Sequence, residues 1–113
     1  MTDKLEIHKA DGAWVVRAGG AVIAESRDAL EVTEGGTAPV VYFPREDVAM
    51  AFLDASDSRT ACPRKGEAQY YTLHTKSGEI ADAAWSYEAP LPGAERLAGY
   101  LAFYPDKVTV ELL

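Results

Sequence analysis

The chain reads as a mainly β protein: one compact antiparallel barrel or rolled sheet with one or two short helices. Three observations predict this. Roughly eight or nine short runs of β-branched and aromatic residues recur at regular spacing, as in closed or sandwiched antiparallel sheets. Turn signals such as Asp11-Gly12, Gly19-Gly20, Gly35-Gly36 and Pro105-Asp106 separate them. Residues 45–54 are the main stretch whose apolar residues fall at helical spacing.

Taken in order, residues 5–8 alternate apolar and polar. Residues 14–18 and 21–25 flank Gly19-Gly20, the arrangement of a two-residue hairpin. After Ser26-Arg27-Asp28 turns the chain, Leu30, Val32 and Glu34 alternate with Glu31 and Thr33. Gly35-Gly36-Thr37-Ala38 then leads into Val40-Val41-Tyr42-Phe43, so the first 43 residues read as a β-meander. Pro44 has no ladder N–H and ends that strand. Val48, Ala51 and Phe52 share one helical face. Glu46 and Asp47 suit the positive end of such a helix, whereas Arg45 does not.

Residues 55–66 are polar and read as irregular. Residues 68–75 alternate, with Tyr71 and Leu73 on one face and Tyr70, Thr72 and His74 on the other. Lys76-Ser77-Gly78 links them to residues 79–88 as a hairpin. There Ala81, Ala83, Trp85 and Tyr87 share a face opposite Asp82, Ser86 and Glu88, which predicts Trp85 inside and Asp82 outside. Pro90, Pro92 and Gly93 mark a loop, and residues 94–99 suit one helical turn. Residues 100–104 and 107–112 flank Pro105-Asp106 as a closing hairpin.

Composition narrows the function. A chain of 113 residues is expected to form one domain, residues 1–113, with its own core. The excess of 18 acidic over 11 basic residues gives a net charge of −7 and argues against nucleic acid as a partner. No apolar run approaches the roughly 20 residues of a membrane helix, and no apolar leader segment is visible. The expectation is a cytoplasmic protein with no membrane partner. Cys62 is the single cysteine, so no internal disulfide framework is available.

Few residues suggest chemistry. Cys62 stands near Arg64 and Lys65, a setting that favours a thiolate, although an inert cysteine is the plainer reading. With only His8 and His74 as imidazoles, no zinc pattern forms, so neither a metal nor a cofactor is expected. Lys65-Gly66 lacks the spacing of a phosphate loop, but the Pro63-to-Gly66 bend can aim Lys65 inward. Arg45 either pairs with a carboxylate such as Glu34 or Glu25, or joins backbone N–H groups as an anion site. Tyr42, Tyr71, Trp85 and Tyr87 belong to an aromatic-rich set that serves as core or walls a cleft.

The segments Ala24-Glu25-Ser26, Tyr42-Phe43-Pro44-Arg45-Glu46-Asp47-Val48, Thr60-x-Cys62-Pro63-x-Lys65-Gly66, Ala68-x-Tyr70-Tyr71, Ala84-Trp85-Ser86-Tyr87 and Gly99-Tyr100-x-Ala102-Phe103-Tyr104 resemble one family over nearly the whole chain. It is the domain of unknown function numbered 427, some of whose members carry a nucleotidyltransferase label. The resemblance implies a compact, mostly β domain. The label finds no support in the residues, because metal-dependent nucleotidyl transfer uses spaced carboxylates that are missing here.

The leading expectation is a domain that binds a small anionic or aromatic ligand through Arg45, Lys65, Tyr42, Tyr71, Trp85, Tyr87 and Cys62, with Arg45 and Lys65 converging on one pocket. The alternatives are an enzyme acting on such a ligand, by phosphate or nucleotide chemistry or at Cys62, and a protein-interaction module. A homo-oligomer stays open as a further partner class.

Overall fold

The computed structural model describes residues 4–113. The strands are β1 Leu5–Lys9, β2 Trp14–Ala18, β3 Ala21–Ser26, β4 Leu30–Glu34, β5 Val40–Phe43, β6 Leu53–Cys62, β7 Gly66–Thr75, β8 Gly78–Ser86, β9 Leu101–Phe103 and β10 Thr109–Leu112. The fold is mainly β, as the turn spacing predicts, but no barrel closes. A seven-stranded sheet runs β1-β4-β5-β9-β8-β7-β6, and a three-stranded sheet runs β10-β2-β3. β9 pairs with both β5 and β8, while β10 pairs with β2, so β1 and β6 remain edges of the large sheet.

The expected hairpins β2–β3 and β7–β8 form. The meander does not, because β2 and β3 leave for the small sheet and β1 pairs directly with β4. Nor do the last two strands close on each other, since the turn after Tyr104 carries the chain from one sheet to the other.

No helix spans residues 45–54. Arg45–Asp47 and Met50–Phe52 are separate 3₁₀ turns, and Val48 between them is extended. The Ala49 N–H donates to the Ile23 carbonyl at 2.8 Å, and Val48 bridges Ala24. Pairing with β3 thus takes the backbone groups a helix would use. Residues 55–66 are not irregular either. They lie largely in β6, an exposed edge strand with few apolar residues, held by its pairing with β7.

The large sheet is covered on both faces. Phe43, Leu73, Ala84, Leu101 and Phe103 meet Val16, Ile23 and Ala24 of the small sheet. On the opposite face Leu30, Val32, Tyr42, Ala68, Tyr87 and Ala102 pack beneath Ala94 and Leu97. This double cover corrects the expected one-sided alternation in β8. Ser86 is fully buried and Trp85 only half-buried. The register also slips at Ala81-Asp82-Ala83, where Asp82 takes a left-handed φ of 49°. Asp82 is itself half-buried, its carboxylate accepting from Ser56 and Ser58 at 2.6 Å each. Among the described residues no helix is long and apolar enough to cross a membrane.

Candidate functional site

The site lies on the outer face of the large sheet. Trp85 stands opposite Tyr70 on β7 and Ala102 on β9, and Tyr42 stands opposite Ala102. Because side chains alternate along a strand, this register puts Tyr42, Tyr70, Trp85 and Tyr87 on one surface. Tyr104 follows β9 and closes against it, its ring centre 4.5 Å from that of Trp85. Together with Val32, Glu34, Thr37, Val40 and Lys65 these rings line a cup of about 200 Å³.

Among the described residues Lys65 is the only charged one that is buried, at 6% exposure. The turn between β6 and β7 aims it inward, and the sequence makes that turn in a specific way. Gly66 has a φ of +113°, a conformation that side chains other than glycine rarely adopt. The Lys65 carbonyl is fixed by the Leu91 N–H at 3.0 Å. The ammonium then pairs with Glu34 and lies 5.6 Å from the centre of the Tyr87 ring. Burying an ammonium is costly without such a counter-charge and a polarisable face. Glu34 also lies 3.8 Å from Arg64 and 4.0 Å from the Cys62 thiol.

The cup presents hydroxyl groups. The Trp85 indole N–H donates to Tyr42 at 3.1 Å, which leaves the Tyr42 proton to donate elsewhere. Tyr104 donates to Tyr70 at 3.3 Å, and Tyr70 shares a 2.9 Å bond with Thr60. Burial pushes the Tyr42 and Tyr87 phenols well above their usual range. Burial, helped by the bond to Tyr70, pushes Tyr104 up to about 12. At neutral pH these groups are therefore protonated donors rather than phenolates.

Arg45 is elsewhere. Its guanidinium donates to the Gly99 carbonyl at 3.1 Å, to Glu88 at 2.7 Å, to Tyr71 at 3.4 Å and to Ser86 at 3.5 Å. Tyr71 in turn donates to Glu88 at 2.7 Å, and burial followed by this bond pushes its phenol up. The partner of Arg45 is thus Glu88, neither Glu34 nor Glu25. With only the three-residue 3₁₀ turn Arg45–Asp47 after Pro44, no α-helix macrodipole stands for Arg45 to oppose.

The structure therefore brings together Lys65, Tyr42, Trp85 and Tyr87, with Cys62 beside them, and separates Arg45 and Tyr71 from them. The expected convergence of Arg45 with Lys65 does not occur. Tyr70, Tyr104, Glu34 and Thr37 also line the cup, although none is among the expected ligand-binding residues. The face alternation of residues 68–75 already marks Tyr70 as opposite in sense to Tyr71. Nothing local marks Glu34, which reaches Lys65 only through tertiary packing. Among the described residues no group of three or more His, Cys, Asp or Glu side chains is placed to hold a metal ion.

The model of the NTP_transf_9 family, described as a domain of unknown function (DUF427), matches residues 6–113. No curated protein matches the chain.

Proposed function

The chain belongs to the DUF427 family, and we propose that it is a binding domain for a small aromatic ligand carrying an anionic group, seated in the cup of Tyr42, Lys65 and Trp85. The observation that carries this reading is the buried ammonium of Lys65 inside an aromatic, hydroxyl-lined hollow. An anionic group meets Lys65 where low dielectric strengthens the attraction. Glu34 already pairs with that ammonium, but its side chain is 30% exposed and can turn towards water as the ligand enters. The Tyr42 phenol donates to an oxygen acceptor, Tyr70 does so when Thr60 donates to it, and the faces of Trp85 and Tyr104 suit a planar ring. A volume of about 200 Å³ is below the roughly 300–1,000 Å³ of drug-sized sites, so the part of the ligand held here is small.

Isothermal titration with benzoate, 4-hydroxybenzoate, acetate and a nucleoside monophosphate tests this. The aromatic carboxylates should bind more tightly than acetate, and Lys65→Met should remove that binding. Equal binding to Lys65→Met, or no aromatic carboxylate bound by the wild type, would defeat the reading.

A further inference from the structure

The cup holds two opposite charges side by side. The Lys65 ammonium donates to Glu34, and both residues line the hollow. Glu34 is fixed as firmly as Lys65. It ends β4 and opens a turn in which its carbonyl accepts from the Thr37 N–H at 3.0 Å and from the Thr37 hydroxyl at 2.8 Å. Gly35 beside it takes a left-handed φ of 57°. One carboxylate oxygen meets Lys65, and the other lies 3.8 Å from Arg64.

A ligand whose only charge is negative meets half of this pair. Its anion is drawn to Lys65 and repelled by Glu34 in the same hollow. A ligand with a cationic group beside its anion meets both halves. An ammonium has three donors and a carboxylate about four acceptor sites, so the bond between Lys65 and Glu34 leaves capacity on each. Alternating charges in a low-dielectric hollow then attract more strongly than the anion does alone.

We infer that the ligand of the cup is an aromatic α-amino acid, its carboxylate on Lys65, its ammonium on Glu34 and its ring against Trp85 and Tyr104. This rests on the cup reading above and adds the group that Glu34 selects. An α-amino acid places ammonium and carboxylate on one carbon, the spacing that suits two side chains in direct hydrogen-bonding contact. Tyr42, whose oxygen accepts from Trp85 at 3.1 Å, has its own proton left for the carboxylate. The cup of about 200 Å³ limits the side chain to a small aromatic ring.

Isothermal titration with two matched pairs tests this. Phenylglycine is compared with phenylacetate, and phenylalanine with 3-phenylpropionate, so that each pair differs only in the ammonium. In at least one pair the amino acid should bind about 10-fold tighter, the lower end for a hydrogen bond to a charged group because Glu34 is 30% exposed. Glu34→Gln should bring that amino acid to the level of its deaminated partner and leave the acids bound at least as tightly. If the variant does not fold, the wild-type pairs decide alone. Acids that match or exceed their amino acids in both pairs would overturn the inference and leave the cup reading standing. An ammonium preference that persists unchanged in Glu34→Gln would also overturn it. Phenylalaninamide binding as tightly as phenylalanine would overturn the contact of the carboxylate with Lys65, and the inference with it. If neither these ligands nor benzoate bind, the cup reading and the inference fail together.

Discussion

Arg45 and Lys65 lie on opposite faces of the large sheet. Arg45 donates to the Ser86 hydroxyl at 3.5 Å, and the Lys65 ammonium sits 5.6 Å from the ring centre of Tyr87, the next residue. Consecutive residues in extended chain point to opposite sides, so the two cations cannot share a ligand. One belongs to the candidate cup, and the other ties the chain together at Gly99 and Glu88.

Removing Lys65 should expose the cost of its pairing. Lys65→Met leaves Glu34 without its main buried partner and should lower stability by about 1–3 kcal/mol, below the ~3–5 of a fully buried pair because Glu34 is partly wet. The double variant Lys65→Met/Glu34→Gln should lose less than the sum of the single changes. Urea unfolding of the four proteins measures the coupling, and strict additivity would deny it.

For Arg45→Ala the expectation is a loss of about 1–2 kcal/mol, since the Gly99 carbonyl and the buried Ser86 hydroxyl lose a donor. The Glu88 side chain is 47% exposed and is rehydrated, which keeps the cost below that of stranding a buried charge. Ligand binding in the cup should be unaffected. Arg45→Lys should not restore stability, because a single ammonium cannot reach acceptors arranged around a fork. A binding defect in Arg45→Ala with a normal Lys65→Met would reverse the assignment of the two residues.

The tyrosines should titrate late. Tyr42, Tyr71, Tyr87 and Tyr104 are all raised from the usual value, chiefly by burial. Their neutral forms are favoured in the folded state, so stability is full below pH ~10 and declines as pH rises above it towards the folded values. Ultraviolet titration should show these phenols ionising above pH ~10 or only together with unfolding. Complete ionisation of all 6 tyrosines near pH 10 with native circular dichroism would contradict the buried positions.

Asp82 gives the opposite slope in acid. Hydrogen bonds from Ser56 and Ser58 hold its carboxyl below the ordinary value. The stabilisation is present above the unfolded pKa of ~3.9 and is lost as pH falls through the lower folded value. Asp82→Asn should therefore be less stable than wild type at pH 6 and lose less on acidification. Urea midpoints between pH 6 and pH 2 decide it, and parallel curves would show that the bonds contribute nothing.

By itself the sequence determined that this is an antiparallel β protein and where most strands fall. It also marked the β2–β3 and β7–β8 hairpins, because period-two patterning and glycine turns are properties of neighbouring residues. The same local rules misread residues 45–54, whose helical spacing yields to the backbone pairing of Val48 and Ala49 with β3. They also passed over β6, an edge strand with few apolar residues to mark its pairing. Only the tertiary structure decided which strands share a sheet, since insertion of β9 between β5 and β8 joins segments far apart in sequence. That insertion also set the site. It places Tyr42 and Trp85 on one surface and leaves Arg45 behind it, while the turn at Gly66 aims Lys65 towards Glu34. Register and turn direction settle which cation meets which ring, and both emerge only when distant strands pair.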